Sequence, residues 1–362
     1  MNRIPRQLKW ASPDSSPVGT RDQSAFTLVE LMVACAVMAV MLVLISVAIG
    51  QVSNGVKSSS AKVEAFQSAR AGFETVTRAL SVATLNTYWD YYDSANNPRS
   101  SANYTNFIPA TYGRQSDLHF LVTNLGAPLS TFGGFSNNST VTHGVFFQAP
   151  LGYNTNGTTN PPGSLNACGF FVAFGPDPTQ PAITGLTNRP RFRLYQWLQS
   201  SEALQEQGAT GRIDPAWINP STTNGARPLA ENIIAFVVRV PGTNATVTST
   251  NATNYFWNST NTWSIGSPQP PQMHQLPPLV EVTMVAVDEA AANRRLVGTA
   301  TNNTANAANA LMTNGIQLRN WFTNSANYST DLQRVTDGLN ARKIPYRVFT
   351  TTIPLRGSRW SP

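Results

Sequence analysis

Hydrophobic and polar positions along this chain follow three successive regimes. Residues 31–49 form an unbroken run without a single charge, apolar at every position but Ser46. As a helix rising 1.5 Å per residue, such a run approaches the ~30 Å thickness of a bilayer's hydrocarbon core. After Gly50 the pattern turns amphipathic. Val63, Phe66, Ala69, Phe73, Val76 and Leu80 recur at spacings of three and four, which predicts one apolar face of an α-helix. Glu74 and Arg78 stand four apart and are expected to pair on its polar side. A single helix is thus predicted from Thr27 to about Ala83, weakened only at Gly50 and Gly55.

Beyond the helix, short runs rich in Val, Phe, Tyr and Thr alternate with Asn, Gly and Pro turns. They predict strands at 117–123, 143–148, 169–174, 192–198, 233–240, 280–288 and 346–354, in antiparallel sheet. Residues 201–207 read as a short helical turn. Residues 331–343 read as a helix that aligns Leu332, Val335 and Leu339. Segments 87–113 and 242–275 read as loops, and their aromatics Tyr88, Trp89, Trp257 and Trp263 as a satellite core rather than a binding face. The fold class is α+β: a long N-terminal helix, membrane-spanning and then amphipathic, packed on an antiparallel β-sheet head.

Charge sharpens the N-terminal picture. Residues 1–25 hold Arg3, Arg6, Lys9 and Arg21 against Asp14 and Asp22. A basic flank before an apolar run stays on the cytoplasmic side, so the C-terminal bulk faces outward. At the mouth of the run stands one carboxylate, Glu30. A charge there is costly in lipid unless a partner meets it. Thr27-x-x-Glu30 also has the spacing of a capping box, which ties the same carboxylate to the helix start.

The order basic leader, Phe26-Thr27-Leu28-Val29-Glu30, then apolar run resembles the N-terminus of type IV prepilins and pseudopilins. The resemblance implies that a prepilin peptidase cuts between Ala25 and Phe26 and N-methylates Phe26. Glu30 then becomes the fifth mature residue and pairs with the amine of a neighbouring subunit. Ala25 departs from the glycine usual before the cut. The competing expectation is an ordinary secretory signal cleaved near Ser46-Val47-Ala48, but the apolar run is longer than such signals need. Val47 stands where major pilins often carry proline, and QVSNGV (51–56) resembles the J-type minor pseudopilin of type II secretion. The blocks TLNTYWDYYD (84–93), LAENIIAF (229–236), LVEVTMVAVD (279–288) and ARKIPYRVF (341–349) resemble the pilin-like family called Verru_Chthon cassette protein C.

The domain plan expected on this basis is a leader (1–25), a transmembrane helix (26–50), its amphipathic continuation (51–86) and a loop-rich β head (87–362). The implied role is a minor pilin-like subunit in a type II secretion or type IV pilus-like filament, with a place at the tip. The implied location is the bacterial inner membrane, crossed once, with the head in the periplasm or outside the cell. Implied partners are other pilin-like subunits, the prepilin peptidase, the inner-membrane assembly platform and the lipid bilayer. The alternative is a membrane-anchored, outward-facing module that recognises a surface, a polysaccharide or a secreted substrate.

The rest of the composition narrows the chemistry. Net charge is +7, yet the basic residues are scattered, and no stripe with interleaved aromatics supports nucleic-acid binding. Cys35 lies in the apolar run and Cys168 in a strand, so no intrachain disulfide is expected. His119, His143 and His274 fit no metal or catalytic spacing, and the first two read as hydrogen-bonded structural residues. Asp288-Glu289, Asp90 and Asp93 read as solvated acids. Sequons at Asn138 and Asn251 are chance products of an Asn/Thr-rich chain. No nucleophile elbow, P-loop, Rossmann glycine pattern or zincin motif is present, so neither enzyme activity nor a cofactor or metal is expected.

Overall fold

Helix α1 (Leu28–Ser81) dominates the N-terminal part of the chain. The computed structural model describes residues 27–100, 103–125, 140–155, 163–175, 191–203, 226–240, 255–260, 267–292, 316, 318 and 320–358. It divides into two units, Met1–Ser59 and Ser60–Pro362. The described part of the first unit is helix from Leu28 onward, continuous through Gly50 and Gly55. Its apolar side chains, Leu31, Met38, Leu42 and Ile49 among them, are exposed within the chain. A surface this apolar is a membrane or partner surface, not a water surface.

In the second unit the rest of α1 buries Ala69, Phe73, Val76, Ala79 and Leu80, with Phe66 partly covered. The apolar face therefore starts at Phe66; Val63, expected on it, is exposed. Glu74 pairs with Arg70 at 2.9 Å, where Arg78 was expected. Small residues let the helix approach closely: a Cβ on Gly72 would lie 2.9 Å from the Ala230 Cβ.

Eleven strands are described. They are β1 (Tyr88–Tyr92), β2 (Thr111–Gln115), β3 (Phe120–Asn124), β4 (Thr140–Ala149), β5 (Asn166–Gly175), β6 (Arg191–Gln199), β7 (Ala226–Glu231), β8 (Ile233–Arg239), β9 (Trp257–Asn258), β10 (Leu279–Val287) and β11 (Tyr346–Pro354). All pairings among them are antiparallel. The sheets run β7-β6-β5-β4-β3-β9, β11-β10-β8 and β1-β2. A one-turn helix α2 (Glu289–Ala292) follows β10, and α3 (Tyr328–Ala341) leads into β11. Val335 and Leu339 of α3 are buried and Leu332 packs beside them, as the spacing predicts. The molecule is the α+β arrangement expected, a long apolar N-terminal helix with antiparallel sheets.

Strands β4 and β5 are buried at every position, so the six-stranded sheet has a packed face on each side. Phe120, Phe147 and Phe170 form an aromatic ladder on one face, with ring centroids 6.3 Å apart at each step. Phe146, Phe171 and Tyr195 form a second on the other. Glycines make room for it: a Cβ on Gly169 would sit 2.3 Å from the Phe146 ring.

The two larger sheets share a core where β8 crosses β4, β5 and β6. Strand β8 is the edge of its sheet, and a bulge in β4 covers it. Register shifts between Val141 and Gly144, and Thr142 adopts φ 58°, a left-handed conformation that a β-branched residue resists. The bulge turns two side chains towards the open edge. Thr142 Oγ1 accepts the Phe236 N–H at 3.0 Å, and His143 Nδ1 accepts the Val238 N–H at 3.0 Å. A buried strand edge is thereby satisfied without a further strand.

Three expectations are corrected. Segments 87–113 and 242–275 are not loops throughout, since the first carries β1 and the start of β2 and the second carries β9. Strand β3 starts at Phe120, because Ser116, Asp117 and Leu118 are drawn into a turn by Asn86. Residues 226–231, the start of the block LAENIIAF and its approach, form β7, which was not foreseen. Asn138, Asn251 and Trp263 lie outside the described residues.

Candidate functional site

The sequence places its functional residues at the start of α1. Ala25 and Phe26 lie outside the described residues. Glu30 sits in the first turn of the helix and closes a reciprocal cap with Thr27. Its Oε2 accepts from the Thr27 N–H and from Thr27 Oγ1, both at 3.0 Å. The Glu30 N–H in turn donates to Thr27 Oγ1 at 3.3 Å. The four free N–H groups at a helix start make this a favourable place for a carboxylate. Directly beyond lies the apolar segment, long enough to cross a membrane and with none of its window buried inside the chain. Glu30 is thus the only acid between Thr27 and Val63, at the entrance of a surface that lacks any other charge until Lys57.

Elsewhere the candidate groups serve the fold. His119 donates its backbone N–H to Gln148 Oε1 and bonds Asn258 Oδ1 through Nε2 at 2.8 Å. His143 has an assigned tautomer. Nδ1 accepts from Val238, so Nε2 carries the proton that it donates to the Phe322 carbonyl at 2.9 Å. Burial holds both imidazoles at about 4, well below the ordinary histidine value, so both are neutral at pH 7. Burial likewise pushes the Cys168 thiol up to about 12, which leaves it protonated and a poor nucleophile. Cys35 is exposed on the apolar part of α1.

The acids expected to be solvated are mostly engaged. Asp288 is buried and caps α2 through the Ala291 N–H, while Glu289 pairs with Arg191 at 2.7 Å. Asp90 pairs with Arg99 at 3.0 Å, and Asp93 accepts the N–H groups of Ala95 and Asn97 to fold a turn. Among the described residues no three His, Cys, Asp or Glu side chains are grouped to hold a metal ion.

The aromatics divide differently from expectation. Trp257 belongs to the main core, with its indole N–H donated to the Gln275 carbonyl. Trp89 is half exposed on the outer face of a hairpin that also carries Tyr91 and Tyr112 there, while Tyr88, partly exposed, lies on the other face with Tyr92. The run Tyr-Trp-Asp-Tyr-Tyr is strand-prone and could have located this hairpin; its Asn-rich surroundings masked the signal.

Residues 20–49 match the family model described as the prokaryotic N-terminal methylation motif. No curated protein and no solved structure matches the chain. The matched span takes in the cleavage region, Glu30 and the apolar run. It supports the type IV pilin-like family, a prepilin-processed chain that assembles with other pilin subunits and is anchored by its N-terminal helix ahead of a C-terminal head.

Proposed function

We propose that this chain is a minor pilin-like subunit, cut between Ala25 and Phe26 by a prepilin peptidase, N-methylated at Phe26, and built into a short pseudopilus or pilus of a type II secretion or type IV pilus-like system. The single observation that carries this reading is the matched motif with Glu30 at the mouth of an apolar helix. The helix inserts in the bacterial inner membrane, held by the basic leader on the cytoplasmic side, and the head lies in the periplasm or outside the cell. Its companions are other pilin-like subunits, of the kind grouped with the J-type pseudopilin or Verru_Chthon cassette protein C, delivered through an inner-membrane assembly platform.

The work is mechanical, with no catalytic role. A new subunit brings its Phe26 ammonium to the Glu30 carboxylate of a neighbour. In a low-dielectric setting that pairing removes two unmatched charges together, which favours the docked state well beyond what a neutral hydrogen bond supplies. The Thr27 cap holds the carboxylate at the helix entrance until docking. A second unit extending over 60–362 is bulky, which suits a filament end or low copy number better than a repeated shaft.

Mass spectrometry of the membrane-extracted protein tests the reading. A chain that begins with N-methylated Phe26 is expected. A start near Ile49 would identify an ordinary secreted protein and remove the basis for assembly through Glu30.

A further inference from the structure

One exposed surface serves neither the core nor the helix. Hairpin β1–β2 has two faces. Tyr92 lies on the inner one, buried against Met273, with its hydroxyl donated to the Arg114 carbonyl at 2.7 Å. Alternation along the strands puts Trp89, Tyr91 and Tyr112 together on the opposite face. Tyr91 stands directly across from Tyr112, and Trp89 lies one diagonal step away. The Trp89 and Tyr112 rings stack with centroids 5.5 Å apart and an interplanar angle of 25°, and Tyr91 leans on Tyr112 at 5.2 Å. All three remain open, with exposures of 50, 45 and 56%. An aromatic patch of this kind on a water-facing surface marks a contact site.

The strand that carries the patch is held in place at Arg114, directly across from Trp89. Gln269 bonds both the N–H and the carbonyl of Arg114 at 2.8 Å, and Arg114 Nη2 donates to the Pro270 carbonyl. Asn86 and Tyr88 both bond Asp117, which fixes the far end of the hairpin. Rings fixed in this way lose little freedom when a ligand covers them.

The chemistry around the rings says what would cover them. Of the hairpin's charges, Asp90 pairs with Arg99, Asp117 accepts from Asn86 and Tyr88, and the buried Arg114 donates to the Pro270 carbonyl. Among the described residues the exposed rings of Trp89, Tyr91 and Tyr112 carry no cluster of cations to hold a polyanion or an acidic lipid surface. The connection between the two strands instead holds a cavity of about 420 Å³ lined by the hydrogen-bonding side chains of Asp93, Ser94, Asn103, Thr105 and Asn106, with Phe107 and Ile108 beside them. Flat aromatic rings on a hairpin whose connection presents amides, hydroxyls and the Asp93 carboxylate, an acceptor for sugar hydroxyls, match a neutral, polyhydroxylated chain whose rings offer a flat C–H face. We propose that hairpin β1–β2 is a binding platform for neutral β-linked polysaccharide, with Trp89 and Tyr112 stacking successive sugar rings, Tyr91 flanking them and Asp93, Ser94, Asn103, Thr105 and Asn106 of the connection binding hydroxyls. This gives the head a ligand of its own and does not depend on filament assembly.

The test uses the full chain in a zwitterionic detergent without a sugar headgroup, titrated calorimetrically with β-1,4-linked hexaoses of glucose, N-acetylglucosamine and mannose. Sub-millimolar binding of at least one is expected. Trp89→Ala should weaken it by about tenfold or more, since a stacking ring is the anchor type that dominates such contacts. Trp89→Phe, which keeps a ring, should retain most of the affinity. Unchanged unfolding midpoints in both variants will show that the hairpin still folds. Glu30→Leu should bind as the unaltered chain does, which separates this proposal from the assembly reading. Failure to bind all three hexaoses overturns it, as does full binding by Trp89→Ala. A Trp89→Ala chain that loses companion subunits, with no glycan bound by either form, would instead make the patch a subunit interface and also overturn it.

Discussion

At the residue scale, the side chains that define this head are those that relieve a local conflict. Gly169 lets the Phe146 ring lie flat on β5, where a methyl group would come within 2.3 Å. Gly169→Ala should therefore destabilise the chain by about 1–3 kcal/mol through overpacking, seen as a lower denaturant midpoint with an unchanged slope. His119 and His143 carry a pH signature. Their folded-state values near 4 lie below the unfolded 6.5, so between those limits the unfolded state binds more protons. The stability they contribute is complete above pH 6.5 and is lost as the pH falls towards 4. The slope should be about 1.4 kcal/mol per pH unit for each histidine. Unfolding midpoints collected across that window check it, and His119→Gln, which keeps a donor and an acceptor, should flatten the slope. That these histidines are structural was legible in their isolation along the chain. The bulge that aims His143 at Val238 was not legible, because a register shift leaves no mark on residue type when both strands are fully buried.

At the scale of elements, periodicity was a good guide wherever one face of an element is wet. The stripe on α1 and that on α3 could be read almost residue by residue, apart from Val63, which is exposed. Strands β4, β5, β6, β8, β10 and β11 were legible from composition and turn spacing. The hairpin β1–β2 and strand β7 were not. The first has polar, Asn-rich flanks, and the second contains Arg227, Pro228 and Glu231, residue types that count against a strand. Strand β7 exists because α1 and β6 hold it from two sides, a tertiary effect. Its closeness to the helix makes a prediction. Gly72→Val puts a branched side chain where a single Cβ already meets Ala230, and it introduces a poorer helix former than alanine. The variant should lose about 1–3 kcal/mol of stability. Protease digestion should then cut β7 first. A variant as resistant as the parent would mean the contact between α1 and β7 is not tight.

At the scale of the whole molecule, one carboxylate has a cap seen in the structure and a proposed pairing, and a single pair of substitutions can tell them apart. Capping uses Glu30 as an acceptor for Thr27, a role open to a neutral amide, since Gln serves at the same position of a capping box. Pairing with a neighbour's ammonium uses its charge, which an amide lacks. Glu30→Gln should therefore leave the helix start, membrane insertion and removal of residues 1–25 intact, while co-isolation with companion subunits falls sharply. Glu30→Leu should lose the cap as well, fraying the start of the helix, and should fail in assembly to a similar degree. The measurement is the amount of partner subunit recovered with a tagged chain after mild cross-linking, normalised to processed protein in the same membranes. If Glu30→Gln assembles as well as the parent, the cap alone explains the placement of Thr27 and Glu30, and subunits must be held by the apolar surface of α1. If it fails while Phe26 is still exposed by cleavage, the charge carries the docking energy, and the reason a carboxylate stands at the edge of an otherwise uncharged run is electrostatic.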